Sequence, residues 1–75
     1  MTRQENIFNM KITIIEILKD FWKIGYNELS IILSKYRILE YIDAGYDYFN
    51  SMGEKGIVKD IEDYMREQDE VNTNR

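Results

Sequence analysis

The residue types available for chemistry are carboxylates, tyrosines and lysines, because the 75-residue sequence contains neither cysteine nor histidine. Without cysteine there is no thiolate nucleophile, no thiolate zinc site and no disulfide. Without histidine the commonest general base and metal ligand is missing as well. The composition therefore argues against an enzyme, and we expect a non-catalytic protein.

The densest group of carboxylates lies near the end of the sequence and comprises Asp60, Glu62, Asp63, Glu67, Asp69 and Glu70. Calcium loops need Asp or Asn at alternate positions around a Gly and a closing Glu, and this spacing does not occur here. Paired carboxylates for glycoside chemistry need a cleft, which a core this small hardly provides. We therefore expect a solvated helix face, with no metal and no cofactor.

Three other carboxylates form a regular pattern in the middle of the sequence. Glu40, Asp43 and Asp47 are spaced i, i+3 and i+7, so they share one face of a helix. No Lys or Arg lies between residues 38 and 54 to offset their charge. We call these three residues the acidic stripe and expect it to be unpaired.

Tyrosines flank the acidic stripe, and tyrosine is enriched at protein interfaces because its ring packs while its hydroxyl stays solvated. An acidic, tyrosine-edged surface predicts a docking site for a protein partner, and a solvated polar face without a partner is the alternative. The predicted docking face comprises Glu40, Tyr41, Asp43, Asp47, Tyr48 and Asn50.

The net charge of −4 is unevenly distributed along the chain. Residues 1–37 hold six basic and four acidic side chains, whereas residues 38–75 hold four basic and ten acidic ones. Nucleic-acid binders cluster Lys and Arg to neutralise phosphates, and the second half does the opposite. A basic protein surface is the expected partner.

Apolar residues recur at helical spacing through most of the chain, which predicts an all-α bundle in one small domain, residues 1–75. The first predicted helix, 6–24, is apolar over more than half of its circumference, so we expect it to be the central one. Three short helices offer little surface to cover all of Phe8, Ile15 and Trp22. These side chains are expected in the core or, alternatively, at a homodimer seam.

Three further helices are predicted at residues 28–36, 38–52 and 57–68. Gly25 is expected to end the first helix in the left-handed conformation, and Asn27 to cap the second. Gly45, inside the third helix, indicates either close approach of a neighbouring helix or a kink. Gly53 and Gly56 are expected to bracket a turn, and the polar, aperiodic residues 69–75 predict a frayed tail.

The sequence has no apolar stretch approaching the roughly 20 residues that span a bilayer, and no signal-peptide pattern. These features predict a cytoplasmic protein without membrane contact. Four short helices also permit a helix-turn-helix, which would make the protein a DNA-binding autoregulator. The recognition helix would then bring the acidic stripe to the phosphates, so this alternative is disfavoured.

From Asn27 onward the sequence resembles short bacterial proteins of the domain of unknown function 3791 family. In that family an apolar–Lys–Tyr ending is followed by Leu-x-Tyr-Ile, a His-Thr-x-Gly turn and Ile-Val-x-Asp-Ile-x-x-Tyr. The corresponding segments here are Leu33 with Lys35-Tyr36, Leu39-Glu40-Tyr41-Ile42, Asn50-Ser51-Met52-Gly53, and Ile57-Val58-Lys59-Asp60-Ile61 with Tyr64.

The resemblance implies a function, because such family members are typically encoded beside a protein that resembles an ADP-ribosyltransferase toxin. It implies an antitoxin that neutralises this partner enzyme. The sequence departs from the pattern at the turn, where His-Thr is replaced by Asn50-Ser51, so a role that needs a titrating imidazole does not operate here. A structural or regulatory homo-oligomer, joined through the first helix, is the main alternative.

Overall fold

The computed structural model describes residues 2–73, and all of its regular secondary structure within that range is helical. The helices are α1 (Arg3–Trp22), α2 (Tyr26–Tyr36), α3 (Ile38–Ala44), α4 (Tyr46–Phe49) and α5 (Glu54–Thr73). The predicted all-α fold is confirmed, with the third predicted helix divided into α3 and α4.

Helix α1 lies at the centre of the bundle, since it packs against α2, α3 and α5. The core is apolar, and its buried members come from all five helices. They are Ile14, Ile17, Leu18, Leu29, Ile38, Ile42, Phe49, Ile57, Val58 and Ile61. Removing these side chains from water is the main source of folding free energy. A bundle organised around the first helix is therefore confirmed.

The caps of α1 differ in part from the prediction. At its start the Thr2 hydroxyl accepts a hydrogen bond from the Glu5 backbone N–H at 3.1 Å. At its end Lys23, not Gly25, is left-handed, with φ 53° and ψ 50°, and its N–H bonds to the Lys19 carbonyl. Gly25 is extended and immediately precedes α2. The roles predicted for Gly25 and Asn27 are wrong because α1 closes two residues earlier and α2 begins at Tyr26.

The helix predicted over residues 38–52 is interrupted at Gly45, which has φ −103° and ψ 24°. A Cβ built there would lie 3.2 Å from Cε2 of Phe49 and 3.5 Å from the Tyr41 carbonyl oxygen. The close neighbour is thus a ring from the next turn of the same segment, not another helix. Of the two predicted roles for Gly45, the structure shows the break in the helix.

Helix α5 extends beyond both predicted ends. It begins at Glu54, so Gly56 lies inside the helix, and Gly53 alone remains in the preceding turn. It continues to Thr73, five residues past the predicted end at Gln68. Asp69 is held there, because its carboxylate accepts a hydrogen bond from the Tyr36 hydroxyl at 2.8 Å. The remainder of the predicted frayed tail, residues 74 and 75, lies outside the described residues.

The wide apolar arc of α1 is only partly covered within the chain. Ile15 and Trp22 are half-buried, and the Trp22 indole N–H donates to Glu62 at 2.9 Å. Phe8 is 62% exposed and Ile12 is 45% exposed. The bundle therefore leaves an apolar surface on the outer side of α1. Within residues 2–73 none of the helices combines the length and apolar character needed to cross a bilayer.

Candidate functional site

The acidic stripe lies on the outer side of α3 and α4, as its spacing predicted. Glu40 and Asp43 project from α3 and Asp47 from α4. Their side chains are 66%, 53% and 81% exposed, respectively. All three carboxylates are therefore accessible to solvent on either side of the break at Gly45.

The expectation that the acidic stripe is unpaired is wrong. Glu40 pairs with Arg37 at 3.1 Å. Asp43 pairs with Lys11 at 3.6 Å, and Asp47 pairs with Arg3 at 3.4 Å. Two of the three cations come from α1, which packs beside α3, and spacing along one helix gives no sign of them.

These ion pairs are weak in spite of their number. Both ends of the Arg3–Asp47 pair are well exposed, at 63% and 81%, although two guanidinium nitrogens reach the carboxylate at 3.4 Å each. The Arg3 guanidinium also lies over the Tyr46 ring, 5.0 Å from its centroid. Exposed pairs typically contribute about 0–1 kcal/mol to folding. The carboxylates of the stripe are therefore free to exchange partners at little cost to the fold.

Tyr41 does not edge the acidic stripe but faces inward. Its ring stacks on Tyr64, with centroids 3.9 Å apart, and meets Phe49 edge-on at 5.5 Å. Its hydroxyl donates to the Asp60 carboxylate at 2.5 Å. We call Tyr41, Phe49 and Tyr64 the aromatic cluster. Tyr41 belongs to the support of the site and not to its surface.

The Asp60 carboxylate contributes to a raised pKa at two tyrosines. Burial, followed by the hydrogen bond to Asp60, raises the pKa of the Tyr41 hydroxyl well above its ordinary value. The pKa of Tyr48 is also raised, mainly by its interaction with the Asp60 carboxylate. The Tyr48 ring meets Phe49 edge-on at 5.6 Å and is 58% exposed. Tyr48 therefore packs on Phe49 while more than half of its surface remains in solvent.

Asn50 is exposed at the end of α4, where its backbone N–H bonds to the Tyr46 carbonyl at 2.9 Å. Its side chain lines a shallow, open depression between α1 and α4, together with Asn6, Asn9, Met10, Thr13 and Tyr46. The structure thus brings Asp47, Tyr48 and Asn50 together on α4 and its end, beside Glu40 and Asp43 on α3. Five of the six predicted docking residues are exposed.

A second use of carboxylates escaped the sequence analysis. Three acidic side chains of α5 accept hydrogen bonds from aromatic residues on other helices: Asp60 from Tyr41, Glu62 from Trp22 and Asp69 from Tyr36. They link α5 to the rest of the bundle, and no periodic signal marks them. Among the described residues, no group of three or more His, Cys, Asp or Glu side chains is placed to hold a metal ion.

The sequence was compared with protein families, curated proteins and solved structures. Residues 9–68 match the model of a family described as "Protein of unknown function (DUF3791)". The chain belongs to the DUF3791 family. The match covers α2, α3 and α4 completely, together with most of α1 and α5. No curated protein and no solved structure matches the chain.

The residues on which the DUF3791 resemblance rests have mainly structural positions. Ile42, Ile57, Val58 and Ile61 are buried in the core. Tyr41 and Tyr64 stack on each other, and the Tyr64 hydroxyl donates to the Tyr36 carbonyl at 2.7 Å. Of the residues in these motifs, Glu40 and Asn50 are exposed members of the predicted docking face. The DUF3791 motifs therefore account for the fold, and the docking surface has to be argued from its own geometry.

Proposed function

We propose that this DUF3791 protein is a non-catalytic protein-binding module, and that it acts as an antitoxin-like partner of an enzyme resembling ADP-ribosyltransferase toxins. The identity of the partner rests on the family resemblance alone. The binding role is supported by one structural observation: the α3–α4 segment carries the exposed carboxylates Glu40, Asp43 and Asp47 together with an exposed tyrosine, Tyr48, whose ring meets Phe49 edge-on.

The proposed contact is the revised docking face, made up of Glu40, Asp43, Asp47, Tyr48 and Asn50. Interface hot spots are enriched in Tyr, and an oriented ring loses little conformational entropy on binding. Tyr48 fits this description, because it is 58% exposed and already packs against Phe49. We expect Tyr48 to supply most of the affinity at this face.

The carboxylates supply attraction for a basic surface. An arginine of the partner can replace Lys11 at Asp43, because the existing pair is a single contact at 3.6 Å and Asp43 is 53% exposed. Arginine binds a carboxylate through two parallel hydrogen bonds, which a lysine does not offer. Charged groups at the rim of an interface act mainly on the rate of encounter. Neutralisation would follow by covering the basic nucleotide-binding cleft of the enzyme.

The test uses amide substitutions in place of charge reversal. Lysines at these positions would face Arg3, Lys11 and Arg37 and so introduce three repulsive pairs. The triple variant Glu40→Gln, Asp43→Asn, Asp47→Asn removes the charge without repulsion. The matched control, Glu54→Gln, Glu67→Gln, Glu70→Gln, removes the same net charge from α5. A further variant, Tyr48→Ala, removes the proposed anchor.

Each variant is co-expressed with the product of the neighbouring gene, and association with that product is measured at low and high salt. The proposal predicts slower association and weaker protection of the cells for the triple variant, with the control close to the unmodified protein. Tyr48→Ala is expected to speed dissociation. Equal effects of the triple variant and its control would show that only total charge matters, and the docking face would then be wrong. Absence of any complex would refute the partner assignment.

A further inference from the structure

The outer side of α1 carries an exposed apolar surface, which differs in composition from the acidic docking face. It consists of Phe8, Ile12 and Ile15, which we call the α1 strip. Phe8 is 62% exposed and Ile12 is 45% exposed, while Ile15 is half-buried. Scattered single apolar residues on a surface need no explanation, but these three recur at the spacing of one helix face.

The spacing continues beyond the apolar residues into charged ones. Glu5, Phe8, Ile12, Ile15 and Lys19 are separated by three, four, three and four residues. This alternation places all five along one seam, the pattern by which two helices pack at a crossing angle of about 20°. An acidic residue stands at one end of the seam and a basic residue at the other.

The positions of the two charges relative to Ile12 point to the occupant. Glu5 lies seven residues before Ile12 and Lys19 seven residues after it. A twofold axis through Ile12 therefore places Glu5 of one copy opposite Lys19 of a second, antiparallel copy, and does so twice. We propose that the α1 strip is the seam of an antiparallel homodimer of this chain.

The same axis aligns the apolar groups. Ile12 meets Ile12 of the second copy at the centre. The axis places Phe8 opposite position 16 of the other α1, so Phe8 packs against the neighbouring Ile15 of that helix. The Tyr26 hydroxyl donates to Glu16 at 2.6 Å, which holds the Tyr26 ring beside α1. The ring thereby extends the apolar surface next to Ile15. The centre of the seam is thus apolar and its two ends are oppositely charged, as a self-complementary surface requires.

The charges at the two ends are available for this contact. Within residues 2–73 neither Glu5 nor Lys19 takes part in an ion pair. The Lys19 ammonium lies over the Tyr26 ring, 4.9 Å from its centroid, which keeps it close to the seam. Fourteen residues separate Glu5 from Lys19, about 21 Å along a helix, so they do not meet within one chain.

The test is a charge exchange followed by sedimentation analysis over about a hundredfold range of protein concentration. The unmodified protein is expected to change from monomer to dimer as the concentration rises. Glu5→Lys and Lys19→Glu each replace two attractive pairs with two repulsive ones. Each is expected to weaken dimerisation by about tenfold, or about 1.4 kcal/mol.

Two combinations of these substitutions, one within a single chain and one between two chains, identify the antiparallel pairing. The double variant Glu5→Lys, Lys19→Glu restores both attractive pairs and is expected to dimerise like the unmodified protein. An equimolar mixture of the two single variants restores them between different chains and is expected to form heterodimers. Any loss of helix stability in the single variants is inherited by the double variant, so recovery of the dimer is independent of folding.

Two further variants locate the contact. Ile12→Lys places like charges against each other on the twofold axis and is expected to leave a monomer with an unchanged circular dichroism spectrum. Ile31→Lys is the matched control, because Ile31 is 67% exposed but lies on α2. A protein that remains monomeric at every concentration would overturn the proposal and leave the strip to another protein. Failure of the double variant to recover, or equal disruption by Ile31→Lys, would overturn it too.

Discussion

The inner and outer sides of the α3–α4 segment use the same residue types, tyrosine and carboxylate, in opposite ways. On the inner side Tyr41 is packed between Tyr64 and Phe49, and its hydroxyl is bonded to Asp60. On the outer side Tyr48 is 58% exposed and Asp47 holds a solvated ion pair. Burial, and not residue type, decides which tyrosine supports the fold and which remains accessible at the surface.

The largest expected effect separates the two sides by stability. Phe49→Ala removes a ring that is 2% exposed and supports both Tyr41 and Tyr48, so it should destabilise the fold by about 3–5 kcal/mol. Tyr48→Ala should cost less than about 1 kcal/mol, because its ring is mostly in water. Urea unfolding measures both. Similar losses for the two variants would show that Tyr48 belongs to the core.

A second contrast concerns the carboxylates. Asp60→Ala leaves the part-buried Tyr41 hydroxyl without its acceptor, and we expect a loss of about 1–3 kcal/mol. Asp43→Ala removes an exposed partner of Lys11 and should change the free energy of unfolding by less than about 1 kcal/mol. If Asp43→Ala were as costly as Asp60→Ala, the outer ion pairs would be structural.

Backbone propensity offers a third contrast, between two glycines. Gly56 lies inside α5, and the three heavy atoms nearest to a Cβ there belong to Met52, at ordinary contact distances of 3.5–3.8 Å, so Gly56→Ala should stabilise the protein by up to about 1 kcal/mol. At Gly45 a Cβ would lie 3.2 Å from the Phe49 ring, so Gly45→Ala should gain less than Gly56→Ala or lose stability. Thermal unfolding gives the comparison. A larger gain at Gly45 would mean that Phe49 is loosely packed.

The smallest effect is a dependence on pH at the alkaline end. The pKa of the Tyr41 hydroxyl is raised above its unfolded value of about 10 by burial and by Asp60. The folded state therefore keeps a proton that the unfolded state loses, and this stabilisation is complete below pH 10 and declines above it. Tyr41→Phe should flatten the fall in the free energy of unfolding above about pH 10. Tyr48→Phe should flatten it less, because Tyr48 is exposed.

Periodicity was sufficient to predict the all-α fold and the central position of α1, although Phe8 on that helix is 62% exposed. Ile14, Ile17 and Leu18 are buried on α1, and Ile57 and Ile61 on α5, because apolar residues at helical spacing have one way to leave water together. The ends of the helices were less predictable. Lys23 and Arg37 adopt left-handed conformations, with φ of 53° and 54°, although glycine is the usual residue there.

The site was predictable only as far as a single helix determines it. Glu40, Asp43 and Asp47 are exposed, as their spacing predicted. The cations of Asp43 and Asp47 are distant in sequence and arrive through the packing of α1 beside α3. Tyr41 was wrongly assigned to the surface because its hydrogen-bond acceptor, Asp60, is also distant in sequence and lies on α5.

Amide hydrogen exchange, with and without the product of the neighbouring gene, tests the docking face most directly. The proposed function predicts that complex formation adds protection at residues 40–50, around the acidic stripe and Tyr48. The middle of α5, residues 57–65, belongs to the core and should exchange as it does in the free protein. Added protection confined to α5 or to α2, with residues 40–50 unchanged, would contradict the account.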